Sequence, residues 1–578
     1  MVNAASNLQP LTSFLDEAAA ANPNEPAFTF LFDGKGAHPI LSWRALQQGA
    51  RSIAAQLTAR GLASQRVLLV FRPGLDFIQT FFACLYANVV AVPIYPPKPA
   101  LSNALFFGVY DDLQPSAILT EPGFELLLKA LLLPRSLSKN GCKVLALKAH
   151  ESLLCADSST NLRRTALIQY TSGSTSSPRG VVISEQNLLE NLAIIHGGVE
   201  QSQSSVGIHW LPMYHDMGLM NMLYAVYRQF HCVLLSPMDV VRKPIAWLQA
   251  ISTYRATYSG GPPFGYLLAE KKITEPELES LDLASWELAY VGAEKIQPET
   301  LRNFARKFSA CGFRPQALYP CYGLAEHTVA VCGGKKSDNW VEGVFSGDSL
   351  DGGIGSKVES YDPTRDTRKV ELVGCGTSQP GHQILIVDPE SGRCLPDSTI
   401  GEIWPVGPSI AQGYWRKEDL SKSCFRCYTS DGKGPCLRTG DLGFLIGGEL
   451  FVAGRIKDLV ILKGRNVCPE DLELTLSRAH PQCRPGCAAA FSVEQEDCEG
   501  LVVFQEIRNK AGELPAICQA IRALVAKEHQ AAIASLVLLK EGYLPKTSSG
   551  KVQRSQCRKL FLQDKIPGRL YLDSAPSA

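Results

Sequence analysis

Apolar residues near the start of the chain recur at two alternating spacings. Leu46, Ala50, Ile53, Ala54 and Leu57 fall at helical intervals behind Ser42, a candidate N-cap, and Gly61 stands where such a helix would stop. The unbroken run Val67 to Phe71 then reads as a buried strand. The pair repeats: Ile78, Phe81, Phe82 and Leu85 mark a second helical face, and Val89 to Ile94 reads as a strand ended by Pro96 and Pro97. Alternation of this kind predicts an α/β fold in which helices cover parallel sheets. Further on, Ala166 to Gln169 leads into a Gly/Ser/Thr-rich turn, Val181 to Ile183 reads as a strand, and Ser184 is placed to cap a helix.

Two later stretches change texture. Between Val344 and Gly376 a glycine-rich run is followed by the charged segment Asp362 to Lys369, which predicts a loop-rich insertion. Ile456 to Leu462 is apolar apart from Lys457 and Asp458, and Gly464 to Pro469 turns into a helix from Glu470 to Leu476. The roughly one hundred residues that remain suffice for a small second domain. The expected organisation is a large N-terminal domain of helix-covered sheets, residues 1–455, and a small C-terminal α+β domain, residues 456–578.

Composition narrows the class. Lys and Arg number 57 against 56 Asp and Glu in 578 residues, a net charge of +1, so no field is available to hold a polyanion and nucleic-acid binding is not expected. The first cation is Lys35, which leaves no basic n-region for a signal peptide, and no apolar run is long enough to span a bilayer. A cytoplasmic protein is expected. In that compartment the 18 cysteines read as reduced, buried small hydrophobes, and the close pairs Cys424/Cys427 and Cys483/Cys487 lack the paired spacing of a zinc site.

The segment Tyr170-Thr-Ser-Gly-Ser-Thr-Ser-Ser-Pro-Arg-Gly180 concentrates hydroxyls, small residues and one cation. Small residues let backbone N–H groups converge on an anion, and Arg179 can neutralise charge, which suits a phosphate. A flexible linker has a similar composition, but it needs no strand-forming residues on both sides. The spacing is not that of a Walker loop.

With the motifs that follow it in order, this segment resembles the phosphate loop of the adenylate-forming superfamily. Gly292-Ala293-Glu294 and Tyr322-Gly323-Leu-Ala-Glu326 resemble its adenine-binding segments, and Arg438-Thr-Gly-Asp441 its ribose-binding segment. Gly454-Arg455-Ile-Lys457-Asp458 resembles its hinge, and Pro545-Lys-Thr-Ser-Ser-Gly-Lys551 the loop bearing its catalytic lysine. Within the superfamily, Trp210-Leu-Pro-Met-Tyr-His215-Asp216-Met-Gly218, the 344–376 insertion, Gly401-Glu-Ile-Trp404 running on to Gly413-Tyr-Trp415, and Ser549-Gly-Lys551-Val-Gln-Arg554 are similar to the fatty-acyl-AMP ligases. The likeness covers essentially the whole chain.

That resemblance implies ATP-dependent activation of a medium- or long-chain fatty acid to an acyl-adenylate with release of pyrophosphate. The acyl group would then pass to the phosphopantetheine arm of an acyl carrier protein. It implies that Lys551 bridges the carboxylate and the α-phosphate, and that Thr171, Ser172, Gly173, Ser174, Thr175 and Arg179 hold the phosphates. Glu326 would place Mg²⁺, a hard ion suited to carboxylate and phosphate oxygens. Gly292, Ala293, Glu294, Tyr322 and Gly323 would hold the adenine, Asp441 would accept bonds from the ribose hydroxyls with Arg455 beside it, and Lys457 would be the hinge.

His215 next to Asp216 could be a metal ligand or an acid/base pair, but no second histidine stands at ligand spacing, so a gating role beside the acyl pocket is expected. The apolar residues from Met217 to Tyr227 suit either an acyl tunnel or ordinary core. Two positions depart from the family pattern: Arg179 replaces a lysine, and Cys468 replaces a tyrosine. A CoA ligase shares the adenylation step and differs in acceptor, and a sensing module that retains the fold without catalysis is a third reading.

Overall fold

The computed structural model describes residues 8–31, 38–97, 103–136, 142–149, 161–171, 178–462, 465–494, 499–508, 513–547 and 550–574. The predicted helices form where the apolar spacing places them. Trp43–Ala59 is capped by Ser42, whose Oγ accepts from the Ala45 amide at 3.2 Å, and Gly61 takes a φ of 68° just past its end. Asp76–Tyr86 buries Ile78, Phe81, Phe82 and Leu85. Glu185–Val199 starts at a reciprocal capping box between Ser184 and Asn187.

Two large sheets organise the N-terminal part. One has seven strands, Gly413–Tyr414, Arg179–Ser184, Thr165–Thr171, Val90–Pro93, Arg66–Leu69, Ala117–Thr120 and Lys143–Ala146 in spatial order. The other has nine, with Leu318–Gly323, Leu288–Val291, Tyr258–Gly261, Val206–His209 and His231–Leu235 running parallel through its middle. Of these, His231–Leu235 and Leu288–Val291 are nearly continuous apolar runs, as burial on both faces requires. The largest apolar cluster contains Leu46, Phe81, Leu188 and Leu219 from four helices together with Phe28 and Leu167 from the two sheets.

The expectation of parallel pairing holds for the sheet centres and fails on either side of the Gly/Ser/Thr-rich segment. Thr165–Thr171 and Arg179–Ser184 are antiparallel, with Tyr170 opposite Gly180 and Thr171 opposite Arg179. The two strands therefore form a hairpin. A connection this short can return the chain only antiparallel, because a parallel partner needs a long crossover.

The insertion is also more ordered than its glycines suggest. Strands Glu342–Ser346 and Lys369–Val373 pair antiparallel around the helix Gly347–Asp351, and Phe345, Val370 and Leu372 pack with Phe444 and Phe451. Between the predicted insertion and the C-terminal part lies a four-stranded antiparallel sheet of Gln383–Val387, Gly401–Val406, Asp441–Ile446 and Glu449–Arg455.

The C-terminal part is α+β. Strands Cys483–Glu494, Glu499–Ile507, Ile533–Leu539 and Arg569–Ser574 form one sheet, with the helices Pro469–Arg478, Leu514–His529 and Arg554–Leu562. Its two faces build separate apolar clusters, one around Leu472, Val503 and Ile521, the other around Phe491, Phe504 and Cys557. Among the described residues no helix is long and apolar enough to cross a membrane, and no described cysteine is in a disulfide.

Candidate active site

Three of the predicted motifs leave the carboxyl ends of parallel strands in the same sheet. His215 follows Val206–His209, Gly292 follows Leu288–Val291, and Tyr322 and Gly323 end Leu318–Gly323. In open α/β sheets this rim is where ligands bind, because the chain turns there into loops supported by a rigid frame. The backbone is shaped for close approach. A Cβ at Gly323 would lie 2.0 Å from the Val329 carbonyl oxygen, and one at Gly292 would meet the Cys321 oxygen and sulfur at 2.9 Å. Ala293 holds a φ of 71°, and Thr328 a φ of 68° with its Oγ1 donating to the Ser409 carbonyl at 2.7 Å. A non-glycine residue in that region costs of order 1–3 kcal/mol, strain that concentrates at sites where ligands are held.

Asp441 begins a strand and is 4% exposed. Tyr322 donates its hydroxyl to Oδ2 at 2.7 Å, and the Arg455 Nε lies 2.8 Å from Oδ1. The carboxylate holds the Arg455 guanidinium above its ordinary range, against the burial that lowers it. Two segments expected to bind adenine and ribose are thereby joined by one hydrogen bond, which fixes the carboxylate as an acceptor. Lys457 is exposed on the short turn Ile456–Asp458 that follows.

Glu326 sits in another short turn, where its Oε1 accepts from the Tyr414 hydroxyl at 2.7 Å. The Arg179 guanidinium lies over the Tyr414 ring, 5.8 Å from its centroid. Burial first, then the Glu326 charge, push the Tyr414 phenol upward, so it remains a donor. Arg179, Tyr414 and Glu326 thus cluster where the antiparallel strands Thr165–Thr171 and Arg179–Ser184 end and begin; Thr171 is the last described residue of the first strand. Ser172, Gly173, Ser174 and Thr175 lie outside the described residues. Tyr414 was legible only as part of the Gly413-Tyr-Trp415 likeness; its phenol has no periodic or compositional signal.

His215 precedes the helix Asp216–Arg228, and its Nδ1 is 2.5 Å from Asp216 Oδ1, which also accepts from the Met217 amide at 2.7 Å. Burial would raise the Asp216 carboxyl, but His215 and then Lys551 outweigh it and hold the group at about 2. The apolar residues Leu219, Met220, Met222, Leu223 and Val226 of that helix join the main core, which favours the plain packing reading over an acyl tunnel for most of them. Among the described residues no group of three His, Cys, Asp or Glu side chains could hold a metal ion alone.

Lys551 arrives from the C-terminal part. Its amide donates to Thr547 Oγ1 at 3.0 Å, its carbonyl accepts from the Thr547 amide at 2.8 Å, and residues 548 and 549 lie outside the described set. Lys551 lies close enough to influence two N-terminal carboxyls at once, Asp216 and Glu294. Burial is the larger influence on Glu294 and raises its carboxyl, with Lys551, Lys546 and His215 pulling the other way. Lysine, histidine and two carboxyls from opposite ends of the sequence therefore share one electrostatic environment. A reaction that brings anions together can use such a set, since cations in a partly desolvated site act far more strongly than in water.

Comparison with known proteins agrees with this geometry. Residues 15–415 match the family described as AMP-binding enzyme, and residues 457–569 match the Disco-interacting protein 2-like AMP domain. The chain is 38% identical to the medium-chain-fatty-acid–[acyl-carrier-protein] ligase JamA of Moorena producens, over 93% of this chain and 92% of that one. It is 33% identical to the putative fatty-acid–CoA ligase fadD25 of Mycobacterium tuberculosis, over 96% and 98%. Among solved structures, the fatty acyl-adenylate ligase from L. pneumophila in complex with acyl adenylate and pyrophosphate superposes with a TM-score of 0.73 at 33% identity, covering 98% of each chain.

Proposed function

We infer the reaction of this chain from the family to which it belongs, the fatty-acyl-AMP ligases among the AMP-binding enzymes: activation of a medium- or long-chain fatty acid by ATP, then transfer to the phosphopantetheine thiol of an acyl carrier protein. In the first step a carboxylate oxygen bonds to the α-phosphorus while the bond to the bridging oxygen of the β-phosphate breaks and pyrophosphate leaves. In the second the thiol attacks the acyl carbon with loss of its proton, and AMP leaves. The observation that carries the reading is the buried Asp441 carboxylate, held by Tyr322 at the rim of the N-terminal sheet and by Arg455.

Each residue then has work to do. Lys551 neutralises the approach of carboxylate to phosphate, the step in which two anions meet. Asp441, held by Tyr322 and Arg455, accepts from the ribose hydroxyls, and Gly292, Ala293, Glu294 and Gly323 form the adenine cradle. Thr171, the loop after it and Arg179 hold the phosphates. Glu326 would supply a carboxylate oxygen to Mg²⁺, with phosphate oxygens completing its shell, and the bound ion would screen phosphate charge. His215, tied to Asp216 through Nδ1, positions the acyl carboxylate with its remaining nitrogen.

The two domains meet at residues 455 and 456, and Lys457 is the hinge about which residues 456–578 turn between the steps. The setting we assign is the cytoplasm, where ATP and carrier proteins are supplied. Mass spectrometry of products from the protein, ATP, Mg²⁺ and a fatty-acid panel, run alone, with CoA and with a phosphopantetheinylated carrier protein, tests the reading. Acyl-AMP that survives CoA and is consumed by the carrier is expected. Acyl-CoA would make the chain a CoA ligase like the putative function of fadD25, and no adenylate with any acid would overturn the activity.

A further inference from the structure

Lys295 directly follows the Gly292-Ala293-Glu294 turn and is used by none of the chemistry above. Its side chain reaches across to the C-terminal part, where Nζ is 2.6 Å from Asp471 Oδ1 and 3.8 Å from Cys468 Sγ. Both members of the ion pair are largely withdrawn from solvent, the Lys295 side chain at 11% exposure and Asp471 at 22%. Burial is the largest single influence and works against the ammonium, yet the charge and hydrogen bond of Asp471 together with Cys468 and Glu470 outweigh it and keep the lysine above its ordinary range.

The helix that carries Asp471, Pro469–Arg478, has a second set of partners. Glu470 Oε1 lies 2.7 Å and Glu473 Oε1 2.6 Å from the Arg554 guanidinium, which also meets Asp458 Oδ2 at 2.9 Å. Glu473 also accepts from the Ala490 amide at 3.0 Å, tying the same helix to the C-terminal sheet. Arg554 stands three residues after Lys551 and opens the next helix, and Asp458 stands next to Lys457. One helix therefore grips the nucleotide-side turn of the N-terminal part through Asp471, and the lysine loop and hinge through Glu470, Glu473 and Arg554.

We propose that Lys295 is a positioning residue for adenylation: its pair with Asp471 clamps the Pro469–Arg478 helix so that Lys551 is held over the reacting groups. The proposal rests on the two-step reading above. A buried ion pair is poor evidence for overall stability, because desolvation offsets the attraction, but breaking one partner leaves an uncompensated charge, which makes it effective as a selector between two arrangements. The clamp lies outside the reacting groups, so its loss should slow the chemical step without removing nucleotide contacts.

The test uses the full chain and follows acyl-AMP formation with the best acid of the panel, for wild type, Lys295→Met, Asp471→Asn and the charge exchange Lys295→Asp with Asp471→Lys. Each single variant should lose tenfold or more in kcat with KM for ATP within about twofold, and the charge exchange should recover at least a third of the wild-type kcat. Single variants with wild-type kcat overturn the proposal, as do single variants that lose kcat without recovery in the exchange. A rise in KM that accounts for the loss also overturns it, since it would mean damage to the nucleotide site. Absence of acyl-AMP from the wild type itself would overturn the parent reading instead, so the two failures are distinct.

Discussion

At the scale of single residues, motif order carried more information than any side chain did alone. Asp441 follows a glycine and reads in isolation as a turn residue; its burial and its bonds to Tyr322 and Arg455 appear only when strands distant in sequence are adjacent. Lys551 in a Gly/Ser loop reads as a solvated surface lysine until the fold brings its charge to bear on Asp216 and Glu294. Tyr414 and Lys295 had no signal of their own, because a hydrogen bond or an ion pair between distant segments leaves no period in the chain. Lys551 nevertheless gives the plainest prediction at this scale. Lys551→Ala should lower kcat for acyl-AMP formation by about a hundredfold or more, the loss typical of removing a group that stabilises transition-state charge, while ATP binding measured by calorimetry stays within a few-fold. Near-normal turnover would remove Lys551 from the mechanism.

At the scale of elements, hydrophobic spacing located the helices Trp43–Ala59, Asp76–Tyr86 and Glu185–Val199 and their caps, because each has a strong local pattern. It failed in the insertion. Lys-Val-Glu-Leu-Val alternates as an exposed-edge strand should, but five residues beside glycines and charges were outweighed by turn chemistry. The consequence is physical: Phe345 and Val370 are core residues of a cluster with Phe444 and Phe451, whose rings stack at 5.4 Å. Phe345→Ala should cost about 3–5 kcal/mol and lower the melting temperature by several degrees in a scanning experiment. An unchanged melting temperature would mean that the insertion is a dispensable loop after all. The same element borders the C-terminal part, since Leu350, Asp351 and Arg368 share a small cavity with Val467, Asp471 and His529.

At the scale of the whole molecule, the balance of buried titratable groups sets how the fold responds to acid. Burial lowers His209 and His327 to about 3 and His231 and His529 to about 4, from an ordinary 6.5, with Arg368 adding to the burial of His529. A histidine depressed in the folded state binds fewer protons there than in the unfolded chain between those values. Stability therefore rises with pH across that window and is lost as pH falls below 6.5, by up to about 1.4 kcal/mol per pH unit for each histidine. Asp216, held at about 2 against an ordinary 3.8, adds a further loss only below about pH 4. Carboxyls raised by burial, Glu185, Glu190 and Glu449 among them, act in the opposite sense, because the folded state holds their protons more tightly above 4.5. The histidine contribution is isolated by substitution. His529 donates or accepts at 2.8 Å with Thr475 Oγ1, a bond that glutamine can also make. His529→Gln should therefore leave the melting temperature at pH 7.5 within a few degrees of wild type and reduce the fall between pH 7.5 and 5. A pH dependence identical to the wild type would show that His529 is protonated in the fold, beside Arg368, and that the contact between insertion and C-terminal part tolerates two adjacent cations.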